Sequence, residues 1–282
     1  MLKVNIHTRI IRFIITLLML LLIVIALYPM FWMITTSFKT LEESLRWPPA
    51  MFPEVFIFNN FIQIFEMESF HIYFTNTVIY AVIGTFLSVL IASMGGYAFA
   101  KLHFKGKRPL FIIVLSTLMI PAQVTLIPIF IICVWLGWVD TYIGLIIPGV
   151  ISAFGIFLIR QFALGIPNEL FESAKIDGAN QGRLFTWIFL PLVMPPVLTL
   201  VVLDFMGRWN DMFWPLIIIN SAERRPLTLA LTVLYRSEWA GVIRWPQLCA
   251  AMTIASVPIL ILYAVFQKYF TSGLVITSGI KG

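Results

Sequence analysis

Phe171 to Pro196 reads FESAKIDGANQGRLFTWIFLPLVMPP. Its first part is polar, in a chain that is 60% hydrophobic, and apolar runs lie on both sides. With its lead-in, the polar part extends from Ile166 to Asn180. Glu169, Glu172, Lys175 and Asp177 would each be costly in hydrocarbon. The stretch therefore reads as a structured loop at a membrane face, and such a loop needs a partner or a job.

Composition supplies the membrane. Only 11% of the 282 residues are charged, against about 25% in a soluble domain. Aromatic residues make up 15%, and the mean hydropathy is +0.97. No large soluble domain is left over. The pI near 9.4 and net charge of +6 do not point to nucleic acid, because the basic residues mostly flank apolar runs, where they set membrane orientation. Cys133 and Cys249 have no metal-site spacing; both fall near span ends on one side, so a disulfide and free apolar packing both stay open.

A hydrocarbon core about 30 Å thick takes roughly 20 apolar helical residues. Six stretches qualify, at about 13–38, 76–100, 110–135, 142–159, 184–206 and 248–269. The expected class is an all-α polytopic membrane protein with a cytoplasmic N-terminus over 1–12, a transmembrane domain over 13–270 and a cytoplasmic tail over 271–282. The first run is too long for a cleaved signal peptide, and no small-x-small site closes it. Lys3, Arg9 and Arg12 precede it and place the N-terminus inside. Lysines and arginines number three, four, three and two in the inside segments, twelve in all. They number two, none and five in the outside segments, seven in all. That bias puts both termini in the cytoplasm.

Between the first two spans, Phe58, Phe61, Ile62 and Phe65 recur at helical spacing, with Asn59, Gln63 and Glu66 between them. This suits a helix lying in the interface, or one packed on its own bundle. The second span carries Gly84, Ser88, Ala92, Ser93, Gly95 and Gly96, spaced to let neighbouring helices approach closely. Pro121, Pro128, Pro148, Pro191, Pro195 and Pro196 mark sites of kinks within spans. Met212–Ile219 is too short to cross and reads as re-entrant or interfacial.

Catalytic signatures are missing. There is no G-x-x-x-x-G-K-[ST], so no ATP is held by a P-loop here, and neither H-E-x-x-H nor G-x-S-x-G occurs. His7, His71 and His103 are scattered near span ends and suggest no metal. An enzyme is poorly supported, and no cofactor is expected in this chain.

Within the polar loop, taken as residues 160–183, Pro167 and Asn168 can start a helix. Glu169 and Glu172 fall near its positive end. Leu170, Phe171 and Ala174 share the expected apolar face, and Gly178 permits a left-handed turn. A second helical piece runs from about Asn180 into the fifth span. The loop reads either as an amphipathic piece packed on its own bundle or as a docking helix for a cytoplasmic subunit.

The pattern E-A-A, three residues, G, nine residues, I-x-L-P is the signature of membrane subunits of binding-protein-dependent ABC importers. This chain has Glu172, Ser173, Ala174, Gly178, Ile188, Leu190 and Pro191 at those offsets, matching six of seven positions, with Ser173 in place of the first alanine. Over nearly its whole length it resembles the carbohydrate-importer branch, similar to the second maltose-permease subunit and the glycerol-3-phosphate permease subunits. The stretches carrying this are SFKT at Ser37–Thr40, the Pro48–Pro49 pair, YAFAKLHFKGKR at Tyr97–Arg108, WNDMFWPL at Trp209–Leu216, and FQKYFTSGL at Phe266–Leu274 with the terminal Lys281–Gly282.

The resemblance implies the type I permease fold of an importer in a bacterial or archaeal cell membrane. It also implies a translocation path shared with a second permease subunit, an ATPase dimer beneath that binds the ATP, and an external sugar-binding protein. Glu172 is implied to pair with a basic residue of the ATPase, Gly178 to make the turn, and Ala174 and Ala179 to let the helix sit close, with Asp177 in the same loop. The substrate path is less defined. Asp204 is an acid within the fifth span, either a substrate-path group or a hydrated interfacial carboxylate. Asn210 and Asp211 suit an outer gate or a contact with the binding protein. An ion-coupled transporter or channel, the competing class, calls for paired intramembrane charges or an internal repeat. The sequence offers Asp204 alone and no repeat.

Overall fold

The computed structural model describes residues 6–66, 69–237 and 244–278, and among them it is helical with no strand. Lys3 and the terminal Lys281–Gly282 lie outside the described residues. In chain order the helices are α1 (Ile6–Thr36), α2 (Leu41–Leu45), α3 (Asn59–Glu66), α4 (Phe70–Lys101), α5 (Lys107–Thr117), α6 (Ala122–Trp135), α7 (Tyr142–Ile146) and α8 (Ala153–Leu164). They continue with α9 (Glu169–Ile176), α10 (Gln181–Arg183), α11 (Leu190–Leu192), α12 (Met194–Trp209), α13 (Phe213–Ile218), α14 (Leu227–Ser237) and α15 (Trp245–Ser278).

Three single helical segments are long and apolar enough to cross a membrane: Ile10–Thr36, Phe70–Lys101 and Trp245–Gln267. The other three candidates are bent pairs. α5 and α6 meet at 102°, the α7 segment and α8 at 41°, and the Gln181–Leu192 segment and α12 at 79°. Prolines account for the breaks. Pro121 stands at the start of α6, Pro148 lies in the 3-10 turn Ile147–Gly149, and Pro195 and Pro196 open α12. A proline supplies no N–H to the carbonyl four residues back. The stretch expected as one fifth span, 184–206, is thus two rods. Its first part is a π-helical turn, Leu184–Phe189, leading into α11.

The chain divides into two compact units. One comprises residues 1–68 and 234–257. In it α1 is apolar all round, and its side chains from Ile10 to Tyr28 are exposed, as a lipid- or subunit-facing span requires. The polar segment after α1 is knitted around Ser37–Thr40. The Lys39 side chain is only 1% exposed as a residue; its ammonium donates to the carbonyl of Ala50 at 2.6 Å and lies 4.3 Å over the Trp32 ring. Burial holds that ammonium below its usual range, against the opposing pull of Glu43. Thr40 and Glu43 form a capping box at α2.

Most of the apolar face of α3 does not pack on the chain itself, as the interfacial one of the two readings asks. Phe58, Ile62 and Phe65 are exposed, and the buried positions are Asn60 and Ile64. The reason is polar: Asn60 Nδ2 donates to the carbonyls of Ser37 and Lys39, both at 2.9 Å. Two buried carbonyls without partners would cost more than exposing phenylalanines at a membrane surface.

The second unit comprises residues 69–233 and 258–282. Its frame is α4 packed against α8 and α12. Small residues set the spacing. A Cβ on Gly155 would lie 2.8 Å from Leu200 Cδ2 and 2.9 Å from Ala92 Cβ, so α8 approaches α4 and α12 as closely as backbone allows. At the Lys101 end of α4 a core of Tyr97, Ile159, Ala163, Phe171, Leu184, Phe189 and Val193 is buried. At the Phe70 end a second core forms around Tyr80, Cys133, Leu145, Trp214 and Ile218. Both cysteines are free thiols. The Met212–Ile219 segment is the short helix α13, lying against α6 and α7.

Candidate docking face and substrate path

The docking candidate sits at the Lys101 end. Asn168 precedes α9 but does not cap it. Its backbone is already helical, its side chain makes no cap hydrogen bond, and its Oδ1 accepts from Lys101 Nζ at 2.9 Å. The expected apolar face also divides. Phe171 is 4% exposed and Leu170 46%. Neighbours on a helix point about 100° apart, so only one of the two can face the core. Phe171 takes that place, its ring centroid 6.3 Å from that of Tyr97. Ala174 and Ala179 are half-buried against the same core, and the Ala179 N–H donates to the Ala174 carbonyl at 2.9 Å.

Gly178 has φ +83°, and nothing lies within 4 Å of where its Cβ would be. The left-handed turn there reverses the chain into α10, which Asn180 caps by accepting from the Arg183 N–H at 2.9 Å. Glu172, Ser173, Asp177 and Gly178 are exposed on one side of this construction. Ser173 Oγ donates back to the Glu169 carbonyl at 2.9 Å, so the residue that replaces alanine in the pattern satisfies itself within the helix. Ile188 and Leu190 are half-buried and Pro191 is exposed. Two large apolar side chains that sequence reasoning did not single out stand free in the same region: Ile176, 87% exposed, and Trp187, 80% exposed.

The path candidates lie toward the other end of α12. Asp204 is not alone. Arg208, one helical turn on, donates from Nε to Asp204 Oδ2 at 2.8 Å and from Nη2 to the Gly149 carbonyl at 2.5 Å. Ser88 Oγ donates to Asp204 Oδ1 at 3.3 Å. The guanidinium is buried against Gly84, where any Cβ would come within 2.6 Å of Nη1. Tyr80, 5.6 Å under the guanidinium, donates its hydroxyl to Asp211 Oδ2 at 2.8 Å. Asn210 stays apart from this network, exposed, with its Nδ2 on the Met206 carbonyl at 2.8 Å. The structure thus joins Asp204, Arg208, Tyr80 and Asp211, and leaves Asn210 out. Arg208 was missed because it counted as a loop cation; its i, i+4 spacing from Asp204 was the available signal.

The two loops beyond the Phe70 end are locked through Asp140. That residue has φ +56° and accepts from the Asn220 and Ser221 N–H groups at 3.1 and 3.0 Å and from Arg224 Nη1 at 3.0 Å. Burial alone would raise its carboxyl, but these bonds and the arginine together hold it below the usual carboxylate range.

Comparison with known proteins agrees with this geometry. Residues 84–275 match the family of binding-protein-dependent transport system inner membrane components. The arabinooligosaccharide transport permease AraQ of Bacillus subtilis (strain 168) is 33% identical over 274 residues, spanning 96% of this chain and 96% of that one. The lactose transport permease LacG of Rhizobium radiobacter is 28% identical, spanning 89% of this chain and 90% of its own. Among solved structures, a chain of a bacterial ABC transporter that imports the acidic polysaccharide alginate superposes with a TM-score of 0.86 at 26% identity. The match covers 94% of this chain and 98% of that one.

Proposed function

The chain belongs to the inner membrane components of binding-protein-dependent transport systems, and on that premise we propose that it is the permease subunit of an ATP-driven sugar importer. It forms the translocation path with a second, non-identical permease subunit and receives its cargo from an extracytoplasmic sugar-binding protein. It couples to a cytoplasmic ATPase dimer through α9. ATP is bound by those partner subunits, and this chain is not itself a hydrolase. The observation that carries the docking role is the α9 face. Glu172, Ser173, Asp177 and Gly178 are exposed beside Ile176, on a seat of buried aromatic rings. Such a face, rigid beneath and unpaired above, is what a partner's cleft can grip.

The cargo class follows from relatives named for arabinooligosaccharides and lactose. An oligosaccharide or disaccharide fits best, and glycerol-3-phosphate is the further member of the branch. Asp204 and Asn210 remain the path candidates, with Asp204 already neutralised by Arg208. The lysine and arginine bias supports a cytoplasmic position for both termini and for α9.

Glu172→Lys tests the docking. The purified assembly should lose its ATPase subunits, by at least about tenfold in affinity, or about 1.4 kcal/mol, and uptake should fall with it. Unchanged ATPase co-purification and unchanged uptake would remove the docking role from α9.

A further inference from the structure

α9 hangs from the rest of its unit by two short covalent connections. On one side is Gly165–Asn168; on the other is the Gly178–Asn180 turn, whose glycine is left-handed and unobstructed. Neither connection is part of a helix, so neither continues a helical rod into α9. A docking helix held only by them could swing while the spanning helices stayed still.

What bridges both connections is the last turn of α4. Lys101 Nζ donates to the Ile166 carbonyl at 2.6 Å and to Asn168 Oδ1 at 2.9 Å, pinning the segment that leads into α9. Tyr97, one turn earlier on the same face, donates its hydroxyl to Gln181 Oε1 at 2.9 Å, pinning the segment that leaves α9. Between these pins the Phe171 ring lies 5.2 Å beneath the Lys101 ammonium and packs toward Tyr97. The Tyr97 ring centroid is also 4.9 Å from that of Phe189 and 5.6 Å from that of Phe185. Two side chains spaced i, i+4 on one helix thus clamp both ends of α9. α4 then runs unbroken for 32 residues to Phe70, passing Ser88 and Tyr80 of the Asp204–Arg208 network. Arg160 adds a third tie, from Nε to the Phe99 carbonyl at 3.1 Å, binding α8 to the same turn.

We infer that Tyr97 and Lys101 are positioning residues that make α9 and α4 one body, so that a displacement of the docking helix reaches the far end of α4. This rests on the docking role of α9 proposed above. The clamp itself can be tested without a cargo. Nitroxides are placed at Leu170 on α9, outside the named docking residues, and at Val82 on α4, both exposed. Val82 lies about 28 Å along the helix from Lys101 at about 1.5 Å per residue. Distance distributions are recorded in the assembled importer without nucleotide and with Mg–ATP on a hydrolysis-deficient ATPase.

With Tyr97 and Lys101 intact, a single narrow distance should persist in both states. In Tyr97→Phe/Lys101→Met the distribution should broaden to at least about twice that width, while Lys101→Arg with Tyr97 in place should keep the narrow one. A distance that changes with nucleotide when both residues are present would overturn the inference. So would a double variant as narrow as the parent, or a Lys101→Arg single variant as broad as the double one. ATPase subunits retained in full by Glu172→Lys would instead sink the docking role, and the nucleotide-free distributions would still decide whether the clamp exists.

Discussion

The two ends of α4 solve opposite problems. At the Lys101 end aromatic rings turn inward and the carboxylates of Glu172 and Asp177 face out. Toward the Phe70 end the charges turn inward: Asp204, Arg208 and Asp211 are drawn among α4, α12 and the Ile147–Gly149 turn, and each finds a partner there. An unpaired charge at the first end is available to another molecule and costs little in water. An unpaired charge at the second would cost several kcal/mol, so there the polar groups serve the fold. On the docking role proposed for α9, the same residue types carry recognition at one end and cohesion at the other.

This contrast predicts opposite responses to charge removal. Arg208→Ala leaves the half-buried Asp204 without its cation and should cost about 3 kcal/mol, read as a loss of thermal stability in detergent. Arg208→Met combined with Asp204→Leu should recover most of that loss. Glu172→Lys, by contrast, should move stability by no more than about 0.5 kcal/mol while emptying the assembly of ATPase. Equal destabilisation by the two variants would break the comparison.

A smaller effect falls on the frame between the ends. Gly155→Val would force its side chain against Leu200 Cδ2 and Ala92 Cβ. It should cost about 1–3 kcal/mol, measured by the same unfolding transition.

The smallest effect concerns pH. The Asp140 carboxyl titrates below its usual range in the folded chain. Its contribution is therefore present above the unfolded-state pKa and is lost as pH falls through the lower, folded value. Asp140→Asn should cost about 1 kcal/mol near neutrality, the usual worth of a hydrogen bond. The difference from the parent should close once pH drops below the carboxylate range. A difference that persists at low pH would show that the Asp140 charge is not what holds the loops.

Much of the fold was legible in the sequence because its causes are local. Run length and the scarcity of charge identify a helical membrane protein, and the E-S-A…G…I-x-L-P spacing locates α9 and its turn. The faces were less legible. Leu170 and Phe171 are equally apolar, and only packing beneath α9 decides which is buried. On α3 the buried face is chosen by the Asn60 amide, which serves two carbonyls more than twenty residues away. Such contacts leave no periodic trace. The Tyr97–Gln181 and Lys101–Ile166 bonds span 84 and 65 residues and were invisible for the same reason. Asp204 and Arg208 were readable as an i, i+4 pair, but a span boundary drawn at residue 206 separated them. The 79° bend at Val193 was only half legible, since prolines announce a break and not its angle.

The central claim is that α9 meets an ATPase subunit. Its most direct test is a photo-crosslinking amino acid at Ile176, the most exposed apolar side chain of the docking face at 87%. Irradiation of the membrane-embedded importer should join this chain to the ATPase subunit, and ATPase carrying a blocked cleft should abolish the adduct. An adduct to lipid alone, or to the second permease, would contradict the claim.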